Sequence, residues 1–241
     1  MEPIKKLEGK TIAIVGLGNS WFDYNLAKSH GTHFDEVWAI NSVASVIFHD
    51  RVFMMDPASR FYDTENAGKQ TSGMLDVLKN GNKPIYTCQL DKRCKNLVEY
   101  PINDILKAFN CHYLNNTVSY AIAFALWNKV AQINMYGIDF SYKGNLHFAE
   151  SGRACVEYWL AKGSDLGINI GVAGSSGLLD TNVPDNEKLY GYHRLDNPLV
   201  VLQKNGKLVA EKLSKVAKEE QNMEPTLVGR NDEHLRDPKK W

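Results

Sequence analysis

Glycines and small polar residues interrupt the first apolar run of the sequence, "TIAIVGLGNSWFDY", at residues 11–24. Gly16 and Gly18 let the backbone turn sharply and approach a bound group closely, as loops that contact phosphate do. A dinucleotide-binding fingerprint needs a third glycine at position 21, where this chain has Trp21. The spacing therefore predicts a loop for an anion or a nucleotide, but not the dinucleotide site of a dehydrogenase.

Further polar residues follow other predicted strands or open a predicted helix. Because the carboxyl ends of parallel strands meet at one edge of a sheet, and ligands bind at that edge, we expect these side chains to line one cleft. The candidate nucleotide-binding residues are Gly16, Gly18, Asn19, Ser20, Asn41, Ser42, Asp56, Asn116, Thr117 and Gly137. Asp139 and His147 follow further along the chain at the same predicted edge.

Each of these residues also has a purely structural interpretation. Asn and Ser after a strand commonly cap helices or form turns, and Asp56 can end its strand through an Asx turn. Asp139 can bond the amides of its own loop, and His147, between two apolar residues, can be a half-buried histidine with a hydrogen-bond partner. The recurrence of polar residues at one edge of the predicted sheet favours a binding site more strongly than any one of these residues does.

The elements that must position these residues alternate between strand and helix up to about residue 175. Apolar runs such as "TIAIV", "EVWAIN" and "AQINMYGIDF" are typical of strands, and "NNTVSYAIAFALWNKV" is the clearest helix. Asn115 or Asn116 can cap that helix, and its alanines permit close packing on a sheet. The alternation predicts an α/β fold, a Rossmann-like, mostly parallel sheet with helices on both faces.

Beyond residue 175 the pattern changes. "GSSGLLDTNVPDNEKLYGYHR" is typical of a long loop, and Asn205-Gly206 between two apolar runs predicts a hairpin. The segment "KLVAEKLSKVAKEE" is equally compatible with a helix. We expect a nucleotide-binding domain at 1–175 and a loop-rich C-terminal extension at 176–241 with a partly disordered tail.

The charge balance bears on partners and location. The sequence has 28 Lys plus Arg and 28 Asp plus Glu residues, which argues against nucleic-acid binding driven by the charge of the whole protein. No run approaches the roughly 20 apolar residues of a membrane span, and "MEPIKKLEGK" lacks the apolar stretch of a signal peptide, so we expect a cytoplasmic protein. The four cysteines show no paired metal-binding spacing, so structural thiols are favoured over a redox or metal site.

In this order the motifs resemble those of bacterial sialyltransferases of the Campylobacter type. They also resemble those of the MptE-like 6-hydroxymethylpterin pyrophosphokinases. The segments that carry the resemblance are "GLGNSW", "AINSVA", "FMMDP", "NNTVSYAIAFAL", "YGIDFSYKG" and "NLHFAESGRACVEYWL", which span roughly residues 11 to 172.

The sialyltransferase resemblance implies a glycosyltransferase that uses a CMP-sugar type of donor. Asn41 and the Asn116-Thr117 cap would hold ribose or phosphate oxygens, and His147 would deprotonate the acceptor hydroxyl, with Asp139 as a second candidate catalytic residue. The acceptor stays open between a glycan and a modified nucleic acid, and the expected partners include a second copy of the chain in a homo-oligomer.

Two alternatives remain. As an MptE-like pyrophosphokinase, the chain would bind ATP, and Asp56 and Asp139 would carry Mg²⁺ between phosphates. As a non-catalytic module, it would sense or sequester a nucleotide.

Overall fold

The computed structural model describes residues 1–65, 71–140, 146–189 and 199–212. The chain divides into two units, with the boundary between Asn182 and Val183. No helix in the described ranges is both long and apolar enough to cross a membrane.

A seven-stranded sheet forms the centre of the first unit. Its strands are β1 (Thr11–Val15), β2 (Glu36–Ile40), β3 (Arg51–Phe53), β4 (Ile85–Thr87), β5 (Leu97–Glu99), β6 (Gln132–Tyr136) and β7 (Asn169–Val172). They lie in the order β5-β4-β3-β2-β1-β6-β7, and every adjacent pair is parallel. The strand order reverses between β1 and β6, which is where open parallel sheets bind ligands.

Helices cover both faces of this sheet. They are α1 (Trp21–Ser29), α2 (Ser59–Tyr62), α3 (Thr71–Asn80), α4 (Ile102–Phe109), α5 (Thr117–Trp127) and α6 (Leu146–Asp165). Short 3-10 helices occur at Lys5–Leu7, Asn41–Ser45 and Leu178–Asp180. The predicted Rossmann-like parallel sheet with helices on both faces is confirmed.

Two hydrophobic cores lie on opposite faces of the sheet. Residues of α1, α2 and α3 pack into one core, and residues of α4, α5 and α6 pack into the other. In β1, Ile12 and Ile14 belong to the second core, whereas Ala13 and Val15 belong to the first. All four are fully buried, which explains why β1 is continuously apolar.

The second unit contains a short helix and a hairpin. The helix is α7 (Asp185–Lys188), and β8 (Leu199–Lys204) pairs antiparallel with β9 (Lys207–Lys212). The hairpin is confirmed for residues 199–212, so the helical alternative is wrong there. The predicted disordered tail lies outside the described residues.

Candidate functional site

A cavity of about 310 Å³ lies at the carboxyl ends of the strands, where the strand order reverses. It is lined by Gly16, Leu17, Gly18, Asn19, Ile40, Asn41, Val118, Gly137, Ile138, Asp139 and Phe140. The loops after β1, β2 and β6 and the start of α5 all contribute. We call this space the first cavity.

A second cavity of about 510 Å³ adjoins the first. Both cavities are lined by Ile40, Asn41, Val118 and Phe140, so they form one continuous cleft. The other residues that line the second cavity are Met55, Asp56, Arg60, Leu114, Asn115, Asn116, Thr117, Tyr120 and Phe148.

The glycines of the first loop are required by close packing of two backbone segments. A Cβ atom on Gly16 would lie 2.6 Å from the Gly137 carbonyl oxygen. One on Gly18 would lie 2.5 Å from Asp139 Oδ2 and 2.8 Å from the same Gly137 oxygen. The Gly18 N–H also donates to the Gly137 carbonyl at 2.7 Å. The loop after β1 is therefore pressed against the loop after β6.

Ser20 and Asp139 fasten these two loops together. The Ser20 N–H donates to Asp139 Oδ2 at 2.8 Å, and the Ser20 hydroxyl donates to Asp139 Oδ1. The Ser20 Oγ in turn accepts the Gly137 N–H at 2.9 Å. Ser20 is fully buried, whereas Asp139 is partly exposed. Both oxygens of the Asp139 carboxylate thus hold the loop, which favours a positioning role for Asp139.

The first loop keeps two N–H groups available to a ligand. The Leu17 and Asn19 N–H groups donate to no acceptor in the described part of the chain, whereas those of Gly16, Gly18 and Ser20 do. Leu17 and Asn19 both line the first cavity. Backbone N–H groups at such a loop are suitable donors to phosphate oxygens.

Asn41 presents an unsatisfied acceptor at the junction of the two cavities. Its Oδ1 atom is buried and accepts no hydrogen bond within the described residues. Its backbone lies in the left-handed region at φ 53°, which asparagine tolerates better than most residues. A buried polar atom without a partner costs about 1–3 kcal/mol, so this oxygen needs a donor that the described residues do not supply.

The start of α5 faces both cavities. Asn116 is its N-cap and accepts the Ser119 N–H at 3.0 Å, while its amide group donates to Gly152 and Asn115. The side chain of Asn116 is thus occupied in capping. The N–H groups of Thr117 and Val118, in the first turn, have no partner within the helix and carry the positive end of its dipole. Val118 lines both cavities, so this end of α5 is a natural anion site.

The second cavity combines an ion pair with aromatic walls. Asp56 pairs with Arg60 four residues later. The Tyr120 phenol is protonated at neutral pH at its ordinary pKa, and burial raises that pKa further. Phe140 has a left-handed backbone at φ 50°, and its ring packs so closely on α6 that a Cβ atom on Gly152 would lie 2.6 Å from it.

The structure brings most of the predicted site residues together. The cleft is lined by Gly16, Gly18, Asn19, Asn41, Asp56, Asn116, Thr117, Gly137 and Asp139. Ser20 and Ser42 are buried beside it instead of lining it. His147 is exposed in the first turn of α6 and lines neither cavity, although the next residue, Phe148, lines the second.

Sequence reasoning missed several residues of the cleft. Tyr120, Phe140 and Phe148 line the cleft but were not among the predicted site residues. A signal existed for Arg60, because an Asp and an Arg four residues apart commonly form an ion pair. The described residues contain no group of three metal-ligating side chains.

The fold and the cleft define the class of this protein: a Rossmann-like α/β protein with a polar cleft at the switch point of its sheet. Compared by sequence, the chain matches no family profile and none of the curated proteins.

Compared by structure, it is similar to the sialyltransferase CstII from Campylobacter jejuni in complex with the substrate analogue CMP-3FNeuAc. The identity is 16%, the match covers 88% of this chain and 99% of that chain, and the TM-score is 0.45. It is also similar to an α-2,3-sialyltransferase from Campylobacter jejuni in apo form, at 16% identity, 92% and 98% coverage and a TM-score of 0.47.

Proposed function

We propose that the cleft binds a nucleotide-activated sugar, of the CMP-sugar type, and transfers the sugar to an acceptor hydroxyl. The observation that carries this proposal is the buried Asn41 Oδ1, which lies at the junction of two adjoining cavities and has no donor among the described residues. A ribose or sugar hydroxyl is a donor of the required kind. The donor class rests on the resemblance of the sequence motifs.

The phosphate of the donor would bind near the start of α5. Among the described residues that line the first cavity, only Asp139 is charged, and its carboxylate would repel an anion. We therefore place the phosphate on the Val118 side, where the N–H groups of the first helical turn meet it. The Leu17 and Asn19 N–H groups would bind oxygens of the same nucleotide from the opposite loop.

The acceptor would occupy the second cavity. The ring of Phe148 offers an apolar surface for a sugar ring, and the protonated Tyr120 phenol offers a donor. His147, next to Phe148, would take the proton of the acceptor hydroxyl. The hydroxyl oxygen then bonds to the anomeric carbon, the bond from that carbon to the phosphate oxygen breaks, and the nucleotide leaves with the electron pair.

The placement of His147 favours one alternative. Because His147 is exposed and lines neither cavity, a module that binds a nucleotide without transferring anything would have the same cleft. In the pyrophosphokinase alternative Asp56 and Asp139 would share Mg²⁺, but they line different cavities and are engaged by Arg60 and Ser20.

A thermal-shift panel tests the binding step. The panel contains CMP, CDP, UDP and ATP, each with and without EDTA, and a ligand at a hundred times its Kd stabilises the fold by about 2.7 kcal/mol. We expect CMP to raise the Tm of the wild type with EDTA present, and to raise that of Asn41→Ala much less. A shift by ATP alone that EDTA abolishes would favour the pyrophosphokinase instead. No shift by any nucleotide would refute the proposal.

A turnover assay then separates the transferase from the binder. Release of CMP from a CMP-sugar, measured by chromatography with a mixture of sugar acceptors, is expected for the transferase. A protein that binds CMP tightly but never releases it from CMP-sugars would be the non-catalytic module.

A further inference from the structure

A third cavity lies at the opposite edge of the sheet from the cleft. Residues that directly precede β6 and β7 line it, so it lies at the amino ends of these strands, where α4, α5 and α6 end. Its volume of about 520 Å³ is within the range of about 300–1,000 Å³ that is typical of small-molecule sites. It shares no residue with the cleft and is lined by Pro3, Ala108, Phe109, Leu126, Trp127, Lys129, Val130, Leu166, Gly167 and Ile168. We call this space the apolar hollow.

The walls of the apolar hollow are almost entirely hydrocarbon. Lys129 is the single charged residue among the described residues that line it. Leu166, on the wall, is 58% exposed, so apolar surface of the hollow is in contact with water. The Trp127 indole N–H donates to no acceptor in the described part of the chain. An apolar surface with a few polar groups that can fix an orientation is typical of a small-molecule site.

Lys129 has a backbone conformation that glycine ordinarily adopts at the end of a helix. Its φ is 54°, and its N–H donates to the Leu126 carbonyl, which closes the last turn of α5. Helices α4 and α6 also end close to left-handed residues, but these are Asn110 and Gly167, the types that tolerate this conformation best. A lysine at this position strains the backbone, and strain of this kind motivates a functional role for the side chain.

Lys129 and Lys162 place positive charge at the apolar hollow. Lys129 is exposed, and its ammonium forms no ion pair within the described residues. The Lys162 Nζ atom lies 5.9 Å from the ring centroid of Phe109, which lines the hollow, and it likewise pairs with no described carboxylate. Asp165, the acid at the end of α6, is exposed and pairs with neither lysine. The charge at the hollow is therefore complementary to an anionic ligand.

We propose that the apolar hollow binds a single-chain aliphatic carboxylate, an amphiphile with one hydrocarbon tail and one carboxylate head. The tail would cover the apolar walls, including the exposed Leu166, and burial of this surface drives the binding. The carboxylate would accept hydrogen bonds from the Lys129 ammonium and from the Trp127 indole N–H. A single lysine in the lining matches a head group of one negative charge. The site is independent of the proposed sugar transfer.

Titration calorimetry of the full chain with decanoate, below its micelle concentration, tests the ligand class. Decanol has the same tail without the charge and should bind about tenfold more weakly, and decylamine, a cation at neutral pH, more weakly still. Lys129→Gln should raise the Kd for decanoate about tenfold and leave the Kd for decanol unchanged. Lys28→Gln, an equal change of charge on α1, should alter neither. Equal Kd values for decanoate and decanol, or a Lys129→Gln protein that binds decanoate like the wild type, would mean adventitious apolar binding and would overturn the proposal.

Two further measurements test the location. In ¹⁵N spectra the indole N–H signal of Trp127, assigned with Trp127→Phe, should shift on addition of decanoate because this N–H gains an acceptor. Ala108 is exposed on α4, so Ala108→Trp should fill the hollow and abolish decanoate binding while the fold stays intact by circular dichroism. An unshifted Trp127 signal, or full binding by Ala108→Trp, would place the ligand elsewhere and overturn the proposal. A wild type that binds no decanoate, and that sediments at a higher mass than Ala108→Trp, would overturn it in favour of a contact between copies.

Discussion

Replacing Gly18 by alanine adds one methyl group where the loop after β1 touches the loop after β6. That methyl would lie 2.5 Å from Asp139 Oδ2 and 2.8 Å from the Gly137 carbonyl oxygen. Neither atom can move freely, because Ser20 holds the carboxylate and the carbonyl belongs to the backbone. The two loops must therefore separate.

The expected cost follows from overpacking, which is typically about 1–3 kcal/mol. At about 2–4 °C per kcal/mol for a chain of this size, a cost near 2 kcal/mol lowers the Tm by about 4–8 °C. Separation of the loops also displaces the Leu17 and Asn19 N–H groups, so affinity for CMP should fall about tenfold or more, where tenfold is about 1.4 kcal/mol.

Differential scanning calorimetry measures the Tm, and titration calorimetry well below the Tm measures the affinity. Gly174→Ala is the matched control, because a Cβ atom there meets nothing within 4 Å and should change neither quantity. A Gly18→Ala protein with the Tm and the affinity of the wild type would refute the close-packing explanation of the glycine loop.

Further predictions address the hydrogen bonds that join the two loops, the proposed sugar transfer and a surface ion pair. Ser20→Ala leaves the buried Gly137 N–H without its acceptor and should lower the free energy of unfolding by about 1–3 kcal/mol, measured by urea titration. His147→Ala should lower the kcat for sugar transfer by about 10²–10⁴ with the CMP affinity unchanged, and an unaltered kcat would remove His147 as the base. Hydrogen bonds from Arg93 lower the pKa of Asp91 to about 2, so its contribution to stability is present above the ordinary carboxyl pKa and is lost as the pH falls through about 2. A carboxyl ¹³C titration with its midpoint near 4 would contradict this last prediction.

The fold could be predicted because local signals agreed with tertiary structure. The unbroken apolar run of β1 is buried on both faces, the residue Asn116 does cap α5, and Asn205-Gly206 does form a hairpin loop. In each case the local preference of the sequence and the tertiary environment favour the same conformation.

One strand was missed, and one helix starts earlier than its sequence pattern indicates, for physical reasons. Strand β5 is only three residues long, partly exposed at the edge of the sheet, and followed closely by Pro101, so its sequence carries no clear strand pattern. The pattern "RACVEYWLAKGSDLG" predicts a helix from Arg153, but α6 begins at Leu146 and includes Gly152. A glycine weakens a helix locally, but here it makes room for the ring of Phe140, a contact that no local pattern reveals.

The location of the candidate cleft could also be predicted, but the role of each residue within it could not. Gly16 and Gly18 were interpreted as residues that let a phosphate approach, whereas their missing side chains make room for Gly137 and Asp139. Contacts between loops more than a hundred residues apart decide such roles, and a sequence pattern does not contain them. The unsatisfied Asn41 oxygen likewise becomes visible only once its surroundings are known.

The central claim is that a nucleotide binds in the cleft at the switch point of the sheet. Titration of CMP into ¹⁵N-labelled protein, followed by amide chemical shifts, tests it residue by residue. The largest changes should occur at the backbone amides of Leu17, Asn19, Thr117 and Val118 and at the side-chain amide of Asn41. Changes confined to the other end of the sheet, or no changes at saturating CMP, would contradict the account.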